Sequence, residues 1–335
     1  MASLDKELAG LLGDEEWLEE ENHFMSSSLL PLDIVLSGNP DGGFATGRIY
    51  EIYGPESSGK TAMATMAMIA AQKAGGVGIF VDYERSFKKD FAEDLGLNTK
   101  RPHFMYIKPV TWEEGNTKAL EVAEAIRNSK EFADKPIVIV QDSVAAAVPK
   151  SVAEKGISEY NMNDTTALAR VTSSTLKAVN LFVDDMDVVM IYLNQIREKP
   201  GVMFGNPETT PGGKALKFYA SVRISLGKKV KSEEGRVHEH EITAKIIKNK
   251  VTQSVGEKVK WNIAYERSGA GQKSIGRIDT TGALVDYMKE NGFLERAGNR
   301  IKFIDGKTYP RATLIKHIDD NDLTGDVIKH LKENI

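Results

Sequence analysis

"RIYEIYGPESSGKTAMATMAMIAAQK", residues 48 to 73, decides the fold. An apolar run, "RIYEIY", reads as a strand; "GPESSGKT", Gly54 to Thr61, fits G-x-x-x-x-G-K-[ST]; and the Ala- and Met-rich stretch that follows reads as a helix. Strand, Gly-rich turn and helix together form a phosphate loop. Gly54 and Gly59 let successive backbone N–H groups curl around phosphate oxygens, with Pro55, Glu56, Ser57 and Ser58 completing the turn. The helix N-terminus adds partial positive charge, Lys60 reaches the terminal phosphates and Thr61 offers a hydroxyl to magnesium. The expected cofactors are ATP and Mg2+.

Outward from this stretch the same alternation repeats. "VGIFVDYE", "FMYIKP", "PIVIVQDS" and "DVVMIYLNQ" read as strands, separated by helices that include "NTKALEVAEAIRNS" and a long one from Asp164 to Val183. Short apolar strands alternating with helices imply a mostly parallel sheet covered on both faces. After Gly213 the period falls to two in "KALKFYASVRISLGKK", "EHEITAKIIKNK" and "EKVKWNIAY", which reads as antiparallel strands closing one sheet edge. "ERSGAGQKS", 266 to 274, is a linker by composition, and the remainder is expected to form two or three helices and a hairpin at "RIKFIDGKTY". The expected organisation is an N-terminal oligomerisation segment (1–30), an ATPase core (31–268) and a small α+β domain (269–335). Leu4, Leu8, Leu11 and Leu12 give the first segment a short amphipathic helix, which could pack on a neighbouring subunit or on its own domain.

Composition narrows the function classes. Of 335 residues 41% are hydrophobic and 27% charged, ordinary for a folded α/β protein. Cysteine is absent, which excludes disulfides, thiolate metal sites and a thiol nucleophile. The start lacks a secretory pattern and no run is long enough to span a membrane, so a cytoplasmic protein without a membrane partner is expected. Net charge is −4, so any nucleic-acid contact must use local basic surface such as "GKKVK" or "KIIKNK".

Two strand ends offer carboxylates to the phosphate loop. Asp142 ends "PIVIVQD" and is the expected magnesium partner beside Thr61, although an Asp at a strand end is by itself an ordinary cap or turn residue. Glu84, after "FVDY", is a candidate to orient and deprotonate water, or simply a surface carboxylate. Gln141 is a polar residue in a strand expected to be buried, so it needs hydrogen-bond partners. His238 and His240 share a strand face as a metal pair or an exposed hairpin, and the lack of further ligands favours the hairpin. "GVMFGNPETTPGG", 201 to 213, is too rich in Gly and Pro for helix or strand, yet it holds Met203 and Phe204.

The phosphate loop, "DSVAA", "NQIREKPGVMFGNPETTPGGKALKFYASVR" and "KNK" together resemble, in order and spacing, the bacterial-type RecA recombinases, including members encoded by phages. The likeness covers roughly residues 28 to 330, and "ALKFYASVR" is more specific than the phosphate loop. It implies a DNA-dependent ATPase that forms a helical filament on single-stranded DNA, pairs it with homologous double-stranded DNA and exchanges strands in recombination and repair. It makes Glu84 the general base and Gln195 the sensor of the γ-phosphate. Lys248 and Lys250 would reach the ATP of a neighbouring subunit, with Phe218 at that interface; periodicity alone makes Phe218 a core residue and the lysines a solvated edge.

The resemblance also places Arg170, Ser173 and Lys177 on a DNA-contacting helix, although Lys177 stands where the family usually has Arg. It places Arg197, Lys199, Thr210, Gly212 and Gly213 on the DNA backbone, with Met203 and Phe204 as apolar wedges between bases, where stacking is worth ~1–3 kcal/mol per base. Phe91 and Tyr265 would flank the adenine, with Lys88 and Phe91 standing where the family often has Asp and Tyr. The small C-terminal domain would touch duplex DNA, and loader and single-strand-binding proteins are further expected partners. The alternative is a ring-forming helicase or DNA motor of the same fold, which would unwind strands without regard to homology; a nucleotide-regulated scaffold would leave Met203 and Phe204 unexplained.

Overall fold

A computed structural model describes residues 23–155, 157–159, 164–198, 208–233, 236–252, 254–264 and 278–335. The predicted N-terminal helix with Leu4, Leu8, Leu11 and Leu12, and the residues Lys199, Met203, Phe204 and Tyr265, lie outside the described residues, as does the 266–274 linker.

Eight strands form the main sheet: β1 (Arg48–Gly54), β2 (Val77–Asp82), β3 (Phe104–Ile107), β4 (Ile137–Asp142), β5 (Val189–Gln195), β6 (Val222–Glu233), β7 (Arg236–Asn249) and β8 (Lys258–Ala264). Their order across the sheet is β8-β7-β6-β1-β5-β4-β2-β3. Every pairing from β6 to β3 is parallel, whereas β6–β7 and β7–β8 are antiparallel. The mostly parallel α/β sheet with an antiparallel edge follows from the change of period after Gly213.

Both faces of the central strands are buried, and their residues divide by parity. Tyr50, Ile52, Phe80, Val138, Val140, Ile191 and Leu193 join one apolar cluster; Ile49, Ile79, Val81, Ile139, Met190 and Tyr192 join the other. The first face is covered by α1 (Leu30–Ser37) and α2 (Lys60–Lys73). Helix α2 is buried from Ala62 through Ala71, which is why it carries Ala and Met all round instead of an apolar stripe. A short helix, α3 (Lys89–Leu95), extends this layer.

The second face is covered by α4 (Trp112–Arg127) and α5 (Asp164–Asp185). The start of α4 precedes the Asn116 expected from periodicity, because Thr111 caps it: its hydroxyl accepts the Glu114 N–H at 3.2 Å, while the Glu114 carboxylate accepts Val110 N–H at 2.6 Å. Along α5, Thr172, Leu176, Val179 and Val183 face inward, and Arg170, Ser173 and Lys177 face out. Residues Ala215–Tyr219, whose alternation reads as strand, instead form a short helix, α6, and the strand β6 begins only at Val222.

The C-terminal residues build α7 (Thr280–Glu290), the three-stranded antiparallel sheet β9 (Glu295–Ala297), β10 (Arg300–Lys302) and β11 (Thr308–Pro310), then α8 (Arg311–Asp320) and α9 (Thr324–Asn334). Their own cluster, around Val285, Met288, Leu314, Ile318, Val327 and Leu331, also takes in Ile34 of α1. Helix α1 therefore serves two cores, with Leu32, Val35 and Leu36 turned to the main sheet.

The hydrogen bonds required by Gln141 come from a polar network under the second face. Tyr83 donates its hydroxyl to Gln141 Oε1 at 2.9 Å, Gln141 Nε2 reaches Asn116 Oδ1 at 3.4 Å, and Tyr192 donates to the same oxygen at 2.8 Å. Gly115 makes room for Tyr83: a Cβ there would lie 2.2 Å from the Tyr83 hydroxyl oxygen. Gly115→Ala should therefore destabilise the fold by about 1–3 kcal/mol through overpacking, and the larger Gly115→Val by more. Chemical denaturation of both variants measures the difference.

The phosphate loop and the ends of the parallel strands

The C-terminal ends of β1, β5, β4 and β2 bring the candidate groups to one sheet edge. The ladder pairs Gly54 with Gln195, Asp82 with Asp142 and Gln141 with Tyr192, so the phosphate loop, Gln195, Asp142 and Glu84 all emerge at one sheet edge, with Asp142 set two residues behind Gln195 and the phosphate loop. The loop turns through left-handed backbone at Ser57 (φ 56) and Gly59 (φ 88) before α2 begins at Lys60. At Gly59 this conformation favours glycine, and at Gly54 a Cβ would lie 2.5 Å from the Leu226 carbonyl and 2.6 Å from Ser58 Oγ.

Lys60 donates from Nζ to the carbonyls of Gly54 (3.1 Å) and Pro55 (2.7 Å), folding its ammonium back over the loop. Burial lowers its pKa, opposed by the carboxylates of Asp142, Glu84 and Glu56. Thr61 donates its hydroxyl to Asp142 Oδ2 at 3.0 Å. Burial pushes the Asp142 carboxyl up to about 7, the Glu84 charge adds to the rise, and the Thr61 hydroxyl and Lys60 oppose it. The pair presents a hydroxyl and a buried carboxylate side by side, a donor set that fits one hard divalent cation with its remaining positions left to water and phosphate. Among the described residues no group of three or more His, Asp or Glu side chains is arranged to hold a metal ion.

Glu84 is exposed at the mouth of the site, where its Oε1 accepts hydrogen bonds from the buried Ser143 hydroxyl and from Gln195 Nε2, the latter at 3.3 Å. Ser143 was not singled out from sequence; it follows Asp142 directly, and only the pairing of β4 with β2 brings it to Glu84. A cavity of about 440 Å3 opens beside the loop, lined among others by Lys60, Thr61, Glu84, Lys88, Phe91 and His240. The structure brings Phe91 together with the phosphate loop, and His240 of β7 joins the same cavity.

The remaining candidates divide. Arg170, Ser173 and Lys177 share the exposed face of α5, and Arg197 is exposed just beyond β5. Thr210 is not with them but buried, and Gly212 (φ 86) and Gly213 (φ 76) pack inward, where a Cβ would meet Val144 or Ala169 at 2.9 Å. Phe218 is 69% exposed on α6, against the core position its periodicity suggests. Lys250 lies with Nζ 5.7 Å over the Phe218 ring. Lys248 is turned onto its own chain, donating to the carbonyls of Lys217 (2.9 Å), Phe218 (2.9 Å) and Ala220 (2.6 Å) at the end of α6. Burial, with Lys250 and Arg223 nearby, lowers its pKa to about 8.

Fold and site define a P-loop ATPase with a mostly parallel α/β sheet. The family described as the RecA N-terminal domain matches residues 4–269. Protein RecA of Porphyromonas gingivalis is 38% identical over 274 residues, covering 82% of this chain and 75% of that protein. Protein RecA of Kineococcus radiotolerans is 36% identical over 330 residues, 97% of this chain and 86% of that protein, and that of Lactococcus lactis is 37% identical over 284. The chain belongs to the RecA family. It is accordingly an ATP-binding, DNA-dependent ATPase of recombination and repair that assembles as a filament on DNA, and the helicase alternative is not favoured. Among the described residues no helix is long and apolar enough to cross a membrane.

Hydrogen bonds to charged groups contribute ~1.5–3 kcal/mol each, so Lys60→Ala should weaken ATP binding by about 10- to 100-fold while the melting temperature stays near that of the parent. Equilibrium titration with a fluorescent ATP analogue reads the first quantity and a thermal melt the second.

Proposed function

We propose that Glu84 is the general base of ATP hydrolysis and that Gln195 senses the γ-phosphate, and the observation that carries this reading is their hydrogen bond at the base of the DNA loop. Glu84 is held by Ser143 and Gln195 at the edge of the cavity, where a carboxylate can accept a proton from water approaching the terminal phosphate. Thr61 and Asp142 hold magnesium, which when bound offsets charge on the phosphates. Lys60 leaves the carbonyls of Gly54 and Pro55 for phosphate oxygens, and Phe91 flanks the base together with Tyr265.

Because Gln195 cannot bond fully to both partners, ATP draws it from Glu84 toward the γ-phosphate and shifts the segment that follows. This is a local hydrogen-bond exchange with a distant readout, the grip on DNA. Arg170, Lys177, Arg197 and Lys199 neutralise phosphates of the single strand, Ser173 donates a hydrogen bond to one, and Met203 and Phe204 separate its bases. Thr210, Gly212 and Gly213 serve this grip by closing the loop. Lys250, exposed beside Phe218, supplies positive charge to the ATP of the adjoining subunit, and Lys248 does so on release from the end of α6. The unit from 269 to 335 contacts duplex DNA, the first 30 residues dock on a neighbour, and loader and single-strand-binding proteins assist in the cytoplasm.

Glu84→Gln should lower kcat for DNA-stimulated ATP hydrolysis by about 100-fold or more while filaments still form; turnover near the parent's would remove Glu84 from the role. For strand exchange, joint molecules between a single-stranded oligonucleotide and supercoiled DNA should form only with homologous sequence. Met203→Gly with Phe204→Gly should abolish them while leaving salt-sensitive DNA binding in place. Joint molecules undiminished in that double variant exclude the wedge role.

A further inference from the structure

Under the base of the DNA loop lies a buried polar cluster that none of these roles uses. Glu51 of β1 and Asn194 of β5 are both fully buried, at 0% exposure. Arg223 of β6 donates from Nε to Glu51 Oε2 at 2.6 Å, with its guanidinium 4.7 Å from the Tyr53 ring centre. From the other side Asn194 donates from Nδ2 to Glu51 Oε1 at 3.0 Å. The same Nδ2 group reaches the Pro211 carbonyl at 3.0 Å, and Asn194 Oδ1 accepts the Gln195 backbone N–H at 3.0 Å. One side chain therefore holds both ends of the DNA loop, where the chain leaves β5 and where it returns.

A buried carboxylate is costly unless fully paired, and breaking such a pair strands a charge. Glu51 is satisfied only while Arg223 and Asn194 both stay in place, so Asn194 cannot rotate freely. If it shifts with β5, the Gln195 amide and the Pro211 carbonyl shift with it. The cluster thus tolerates no partial rearrangement, so it can shift only as a block.

We infer that Asn194, braced by the Glu51–Arg223 pair, is a positioning residue that makes Gln195 and the return of the DNA loop at Pro211 move as one, transmitting the nucleotide state to the DNA grip. This rests on the reading of Gln195 as the γ-phosphate sensor. Asn194 is fully buried and acts through its two neighbours.

The test compares the affinity for a fluorescent oligo(dT) in a non-hydrolysable ATP analogue with that in ADP, for the parent, Asn194→Ala, Asn194→Asp and Gln195→Ala. Coupling free energies between sites correspond to factors of about 5–150, so the Asn194 variants should lose about tenfold or more of this ratio. Their affinity for the ATP analogue without DNA should stay within about twofold of the parent's, a split that mere loss of stability does not produce. A ratio unchanged in folded Asn194 variants, while Gln195→Ala loses it, overturns the inference and leaves the sensor intact. A ratio unchanged in Gln195→Ala overturns the sensor reading and the inference with it. Should the Asn194 variants fail to fold, hydrogen exchange on the parent protein decides. Peptides covering 189–195 and 208–219 should gain protection together when the ATP analogue binds, and protection of one without the other overturns the inference.

Discussion

The hydrogen-bond register of four parallel strands is the constraint on which the rest depends. Because β1, β5, β4 and β2 run the same way and pair Gly54 with Gln195, Asp82 with Asp142 and Gln141 with Tyr192, their C-terminal ends gather at one sheet edge in a fixed stagger. A slip of one residue would turn every side chain to the opposite face, carrying Asp142 away from Thr61 and burying it among the apolar residues of α4 and α5. Alternating apolar residues packed on both faces prevent that slip. The chemistry of the site is therefore held by the core of the sheet and not by the loops that display it.

That arrangement puts polar groups where water does not reach, and the buried carboxyl and amide groups at the strand ends are met with partners. Gln141 is bonded by Tyr83 and Asn116, Glu51 by Arg223 and Asn194, Asp142 by Thr61. Burying such groups without partners would cost ~1–3 kcal/mol apiece, so each network must form completely or not at all. The two lower networks, one under the carboxylates beside the phosphate loop and one under the segment that follows Gln195, therefore restrict how the strand ends move. Lys248 adds a similar restraint at the end of α6, where an ammonium meets three carbonyls at the negative end of a helix.

The phosphate loop, the repeated strands and helices and the antiparallel edge were legible in the order of residues because each is local. A glycine pattern between an apolar strand and a helix, or a change of period from 3.6 to 2, needs no knowledge of what lies across the fold. The start of α4 was missed by a few residues because its cap depends on two side-chain hydrogen bonds at Thr111 and Glu114. Phe218 was open to two readings for the same reason: alternation makes it apolar, but only packing shows which side of α6 is left uncovered.

By itself, then, the sequence determined the class of fold, the nucleotide loop and the inventory of charged and amide groups, through short-range patterns that constrain backbone conformation directly. Tertiary structure alone decided the partnerships. Ser143 and Gln195 meet Glu84, Asn194 joins Gln195 to Pro211, His240 returns to the nucleotide cavity, and Lys248 turns to the end of α6. Such contacts link residues up to more than a hundred positions apart, and their geometry is set by strand order and register, quantities that no local window of residues encodes.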